Sequence, residues 1–353
     1  GVVIVTTKRG TEGRNNVTVN TYIGVQHIAK RLEMMNAREY AEMLNQQDVS
    51  VNQEPSIENP SIYGKGTDWQ DEILRMALMQ NYQIAASGGN KDSRYYLSIS
   101  MFDQEGVIKN SGIRRYQTRL NLDRKIGKNI NIGANFQFSY SQRKPNLVSL
   151  GGFDYQSSAL ATPPTMGIYN EDGSYAADSP SRVVSNKIDN VVAQLNERKK
   201  QEKAASVYAG IFADWEAIKG LKFKTFLGLN ASNNKTSEYK PSSLPTMIQN
   251  KVKGEAWINQ GDSYSILWEN TVNYMKEIAK GHHLTVLGGY TLQTSRSEGL
   301  SLYGKNFTND LLDWNNLSDA ETKTRLIGSS ASEWAIISYL GRINYSVLDR
   351  YLV

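Results

Sequence analysis

Apolar and polar residues alternate along much of this chain with a period of two. From Asn129 to Tyr140, Ile130, Ile132, Ala134, Phe136, Phe138 and Tyr140 share one face, while Asn129, Asn131, Gly133, Asn135, Gln137 and Ser139 share the other. Side chains of a β-strand point to opposite faces in turn, so this segment predicts a strand with one apolar and one polar side. The pattern recurs. Tyr116, Thr118, Leu120 and Leu122 oppose Arg115, Gln117, Arg119, Asn121 and Asp123, and Leu284, Val286, Gly288, Tyr290 and Leu292 oppose His283, Thr285, Leu287, Gly289 and Thr291. Several of these runs pass the ~9–11 residues that cross a bilayer, whereas soluble strands usually stop at about 5–6.

The connections are sorted by length. Strands predicted near 79–88 and 93–103 meet at Ser87-Gly88-Gly89-Asn90-Lys91-Asp92, and those near 113–123 and 129–141 at Lys125-Ile126-Gly127-Lys128. Strands near 204–217 and 221–236 meet at Ile218-Lys219-Gly220, and those near 263–276 and 282–303 at Ala279-Lys280-Gly281. Long connections at 29–78, 143–203, 237–262 and 305–332 separate these hairpins, with one short exception at 104–112. Short turns at one end and long loops at the other are expected of an outer-membrane barrel.

Composition is compatible with that reading. Mean hydropathy is −0.50, and the sequence has no run of about 18 apolar residues, which excludes a transmembrane helix but not a barrel. Twenty tyrosines against 8 phenylalanines suit a membrane interface, where the ring is apolar and the hydroxyl reaches water. The absence of cysteine fits an envelope compartment without disulfides. The net charge is +5, and many of the cations sit in or beside the short turns, for example Lys91, Lys125, Lys128, Lys219 and Lys280. These cations are interspersed with acidic residues and follow no recognition motif, so no nucleic-acid partner is expected. The chain has no starting Met and begins and stops within strand patterns, as expected of a piece of a larger protein.

Little catalytic chemistry is encoded. His27, His282 and His283 are the only histidines. The adjacent pair would point to opposite faces of a strand and could not share a metal. No Gly-x-Ser-x-Gly elbow, P-loop or dinucleotide fingerprint is present. Asn170-Glu171-Asp172-Gly173 lacks the ligand series of a calcium loop and reads as a tight turn. Neither an enzyme nor a cofactor or metal site is expected.

The first residues, Gly1-Val2-Val3-Ile4-Val5-Thr6-Thr7-Lys8-Arg9-Gly10, resemble the last plug strand of TonB-dependent outer-membrane receptors of the SusC/RagA type. Val17-Thr18-Val19-Asn20-Thr21-Tyr22-Ile23-Gly24-Val25-Gln26 resembles their first barrel strand. Leu32-Glu33-Met34-Met35-Asn36-Ala37-Arg38-Glu39-Tyr40 resembles the start of their first outer loop. Thr67-Asp68-Trp69-Gln70-Asp71-Glu72-Ile73, Ala161-Thr162-Pro163-Pro164 and Ser338-Tyr339-Leu340-Gly341-Arg342-Ile343-Asn344-Tyr345-Ser346 follow in order.

The resemblance implies an all-β fold: a partial transmembrane antiparallel barrel of about 10–11 strands out of ~22. Its long outer loops would contain short helices. Residues 1–10 would be the end of the plug, 11–16 a linker and 17–353 the N-terminal half of the barrel. It implies import of oligosaccharides or peptides across a Gram-negative outer membrane. Its partners would be TonB, acting through a segment outside this chain, a SusD-like lipoprotein and outer-membrane lipid. A siderophore or cobalamin receptor, or a non-transporting adhesin barrel, are the alternatives. Candidate substrate-binding rings on outer loops are Trp69, Phe153, Tyr155, Tyr169, Tyr175 and Trp257. Candidate plug-facing residues are Arg115, Arg119, Asp123, Glu269 and Asn273. Asn36 with Glu39 is placed to cap a helix in the first long loop.

Overall fold

The computed structural model describes residues 10–13, 15–145, 155–176, 190–347 and the backbone of 351–352. The expectations placed on residues 1–9 and on Phe153 lie outside them. Eleven strands form one sheet in strict sequence order, from β1 to β11. They are β1 (Asn16–Gln26), β2 (Ala77–Gly89), β3 (Ser93–Glu105), β4 (Gly112–Ile126), β5 (Ile130–Lys144), β6 (Lys199–Ile218), β7 (Leu221–Lys240), β8 (Glu255–Ala279), β9 (His282–Lys305), β10 (Leu326–Val347) and β11 (Tyr351–Leu352). Every pairing is antiparallel between sequence neighbours. The sheet is an open meander among the described residues.

The register fixes both faces. One row of Cα partners runs Val17, Ala86, Leu97, Leu120, Phe136, Ala209, Leu229, Ile266, Thr294 and Ala335. The apolar residues of this face are the exposed ones: Ile84 and Ile99 are each 58% exposed. A face of large hydrophobics left open across a sheet of this size matches hydrocarbon as its solvent, not water.

Tyrosines mark both limits of the apolar band. Tyr82, Met101, Tyr116 and Tyr140 occupy one continuous row toward the long-loop end. Near the short turns, Trp215 stacks on Phe223 at 5.5 Å, and Tyr345 meets His282 at 2.6 Å. On β8 the interval from Tyr264 to Tyr274 is about 33 Å along the strand, or about 23 Å of depth at a tilt of ~45°. An outer-membrane band is ~25 Å tall. Within the band, the Thr225 hydroxyl donates to Asn270 Oδ1 at 2.8 Å and accepts from Trp268 Nε1 at 3.3 Å. These polar groups satisfy one another without water.

Several strands run further than the alternation predicts. β8 extends to Glu255 and β10 to Leu326, which shortens the connections expected at 237–262 and 305–332. Beyond the band both faces meet water or loops, so residues such as Asn233, Asn234, Lys235 and Thr236 carry no apolar period. Backbone pairing nevertheless continues through them. The two-residue pattern reports the solvent of the strand, not its hydrogen bonding.

Candidate functional site

On the polar face, Asn20, Gln83, Ser100, Gln117, Ser139, Ser206, Ser232, Ser263, Ser297 and Ser332 form a single row. Arg115, Arg119, Asp123, Glu269 and Asn273 all lie on this face, by register with Ser141, Gln137, Gly133, Thr291 and Lys222. Arg119 Nη2 donates to Gln137 Oε1 at 2.9 Å, and the Arg115 guanidinium stands over the Phe102 ring at 5.5 Å. Among the described residues, Arg115 Nε, Asn135 Oδ1 and Asn273 Oδ1 are buried without a hydrogen-bond partner. Leaving such a group unpaired costs about 1–3 kcal/mol.

Aromatic rings interrupt the polar wall over glycines. A Cβ at Gly133 would sit 2.3 Å from Phe212 Cε1, and Cβ atoms at Gly210 and Gly228 would each sit 2.9 Å from the Phe226 ring. Bare backbone lets both rings lie flat on the wall.

The long loops build a folded cap. α1 (Ala37–Ser50) begins at Asn36 with both halves of a capping box in place: the Glu39 N–H donates to Asn36 Oδ1 at 2.9 Å, and the Asn36 N–H to Glu39 Oε2 at 3.0 Å. α2 (Trp69–Ile73) is capped by Asp68. Together with α3 (Tyr155–Ala161) and α4 (Val191–Glu197), α2 encloses a core of Trp69, Ile73, Leu74, Ile108, Tyr155, Val191, Val192 and Leu195. A second core joins Tyr239, Ala256, Phe307 and Ala320. A third joins Ala193 and Leu244 to Met247 of α5 (Pro245–Gln249).

This placement corrects part of the aromatic expectation. Trp69 is 3% exposed and donates from Nε1 to the Pro163 carbonyl at 3.0 Å. Tyr155 is equally buried, and its hydroxyl donates to the Gln194 carbonyl at 3.3 Å. Both rings are almost wholly buried and hold separate loops together. Tyr169 is 52% exposed and leans on Tyr175 at 5.1 Å. The expected Asn170–Gly173 turn closes with Gly173 at φ +80° and its N–H donating to the Asn170 carbonyl at 3.0 Å. Burial pushes the Tyr175 hydroxyl pKa up from its ordinary value.

Trp257 lies on the polar face at the loop end, 5.2 Å from the Tyr303 ring, with the Lys240 ammonium 4.5 Å over its own ring. Lys240 pairs with Glu255 at 3.3 Å, which also accepts from the Tyr303 hydroxyl at 2.6 Å. Beside this group, Glu238 bridges Arg198 and Lys200. Burial pushes the Glu238 carboxyl up, but Arg198 and Lys200 outweigh it and hold it below its ordinary value. Sequence reading missed this charged cluster because its members come from the end of α4 and from separate strands, which become neighbours only in the folded sheet.

Two clefts open among the loops. One, of about 830 Å³, is lined by Leu32, Met34, Met35, Tyr40, Pro163 and Trp69. The other, of about 380 Å³, is lined by Lys109, Lys144, Tyr155, Lys199, Gln201 and Trp314. Among the described residues no group of His, Asp or Glu is arranged to hold a metal ion.

No family model matches the chain. Over its whole length it is 32% identical to TonB-dependent receptor P3 of Formosa agariphila and 25% identical to TonB-dependent receptor SusC of Bacteroides thetaiotaomicron. It spans about a third of these relatives, 34% and 35% of their length respectively. Among solved structures, the RagAB peptide transporter superposes with a TM-score of 0.75 at 23% identity, covering 97% of this chain and 41% of that one. The RagAB peptide importer in its open-open state gives 0.77 at 22%. These likenesses show the fold to be that of part of a TonB-dependent barrel.

Proposed function

We propose, from the premise that this chain belongs to the SusC-type TonB-dependent receptors, that the whole protein imports oligosaccharides or peptides through the outer membrane under TonB drive. The observation that carries this reading is the continuous polar row of the lumenal face, from Asn20 through Gln117 and Ser139 to Ser332. A plug domain that ends with residues 1–10 would rest against that polar surface and withdraw from it during transport. Residues 11–16 serve as the linker into the barrel segment 17–353. Arg119, Asp123 and Glu269 belong to the same seating surface. Tyr169, Tyr175 and Trp257 would meet the solute, and a SusD-like lipoprotein would close the loop end from outside.

Uptake of labelled oligosaccharides and peptides by cells producing the intact parent tests this. Internalisation should depend on TonB and stop with a protonophore. Surface binding without internalisation would replace the importer by an adhesin.

A further inference from the structure

The outward face carries an unneutralised cationic cluster just beyond the outer tyrosine row. Lys203 and Lys235 are direct Cα partners on β6 and β7. Like charges placed opposite each other across strands are destabilising. Lys144 lies on the adjacent strand, one residue past the last β5–β6 pair, Arg143–Glu202. Among the described residues, the three ammonium groups make no ion pair. Other cations of this face are neutralised in place: Arg114 by Asp103 at 2.5 Å and Arg296 by Glu298 at 2.5 Å. The nearest carboxylate in register, Asp262, is engaged by the Asn233 and Gln260 amides. The cluster therefore lacks a counter-charge at one defined depth.

That depth identifies the counter-charge. Tyr140 pairs with Ala205, so Lys203 stands two residues further out, about 5 Å above the interface at ~45° tilt. This is the level of lipid headgroups.

We propose that Lys144, Lys203 and Lys235 bind the phosphate groups of an anionic outer-leaflet glycolipid. The cluster faces away from the lumen, which separates it from the solute path. The inference rests on the membrane-spanning reading of the apolar face.

The test uses the intact parent protein in neutral detergent, titrated with diphosphoryl lipid A and with the same lipid dephosphorylated. Wild type should prefer the phosphorylated form at least tenfold, and 0.5 M salt should erase the preference. The triple variant Lys144→Gln/Lys203→Gln/Lys235→Gln should lose it, while Lys280→Gln at a short turn should keep it. No preference in wild type overturns the proposal without needing any variant to fold, as does an unchanged triple variant that retains heat-modifiable migration. Equal competition by inorganic phosphate would move the site from lipid to free anion and also overturn it. Failure of the parent to insert into neutral vesicles would bring down the membrane-spanning reading itself, an outcome distinct from insertion without phosphate preference.

Discussion

The wall and the cap of this chain follow opposite rules of burial. In the wall, Ile84, Ile99, Phe136 and Ile266 are exposed, while neighbours of the opposite face such as Ser98 and Asn121 are buried. In the cap, Trp69, Ile73, Val191 and Leu195 form a water-excluding core of the ordinary kind. The wall is held by a continuous hydrogen-bond ladder and by lipid. The cap is held by the hydrophobic effect in water. One chain thus contains two folding solvents, and the tyrosine rows mark the change between them.

The largest expected effect lies in the cap. Trp69→Ala should cost about 3–5 kcal/mol locally, seen as lost hydrogen-exchange protection of 67–74 and 155–162. Heat-modifiable migration of the barrel should survive, and its loss would mean that wall and cap are one cooperative unit. Next, Phe136→Arg on the lipid face should cost about 2–4 kcal/mol in vesicle refolding, whereas Asn135→Arg on the lumenal face should cost far less. Equal costs would erase the difference between the faces.

A third effect concerns Asp310, which accepts from the Tyr239 hydroxyl at 2.6 Å and the Ser242 hydroxyl at 2.6 Å. Burial pushes this carboxyl up, but the Ser242 and Tyr239 bonds outweigh it and leave it below its ordinary value. A lowered folded pKa contributes stability above the unfolded pKa and loses it as pH falls through the folded one. Exchange protection of 241–249 should therefore fall on acidification below the usual carboxylate range. Asp310→Asn should flatten that dependence; an unchanged pH profile would remove Asp310 from this role. The smallest effect is Asn36→Ala, at about 1 kcal/mol, read as fraying of α1 alone.

The wall was legible in the sequence because lipid on one side and a polar lumen on the other impose a strict period of two. Phe136 against Asn135 is enough to orient a whole strand. The lumenal positions of Arg115 and Asn273 follow from that parity. The cap was legible only where a local signal existed, as at Asn36 and Glu39. The buried roles of Trp69 and Tyr155 depend on contacts between loops far apart in sequence, and an aromatic residue reads the same whether it will face a solute or another loop. The upper ends of β8 and β10 escaped for the reason that also makes them informative: their pairing continues after the amphipathic pattern has stopped.

Those upper ends set the height of the molecule. From Glu255 to Ser263, β8 rises about 20 Å beyond its interfacial Tyr264 at a tilt of ~45°. The loops thus stand on a parapet of paired backbone, not on the membrane surface. A large macromolecule can approach the clefts from the side or from above without touching lipid, and a bulky membrane-impermeant reagent should reach Tyr169 while leaving the tyrosine row at Tyr140 untouched.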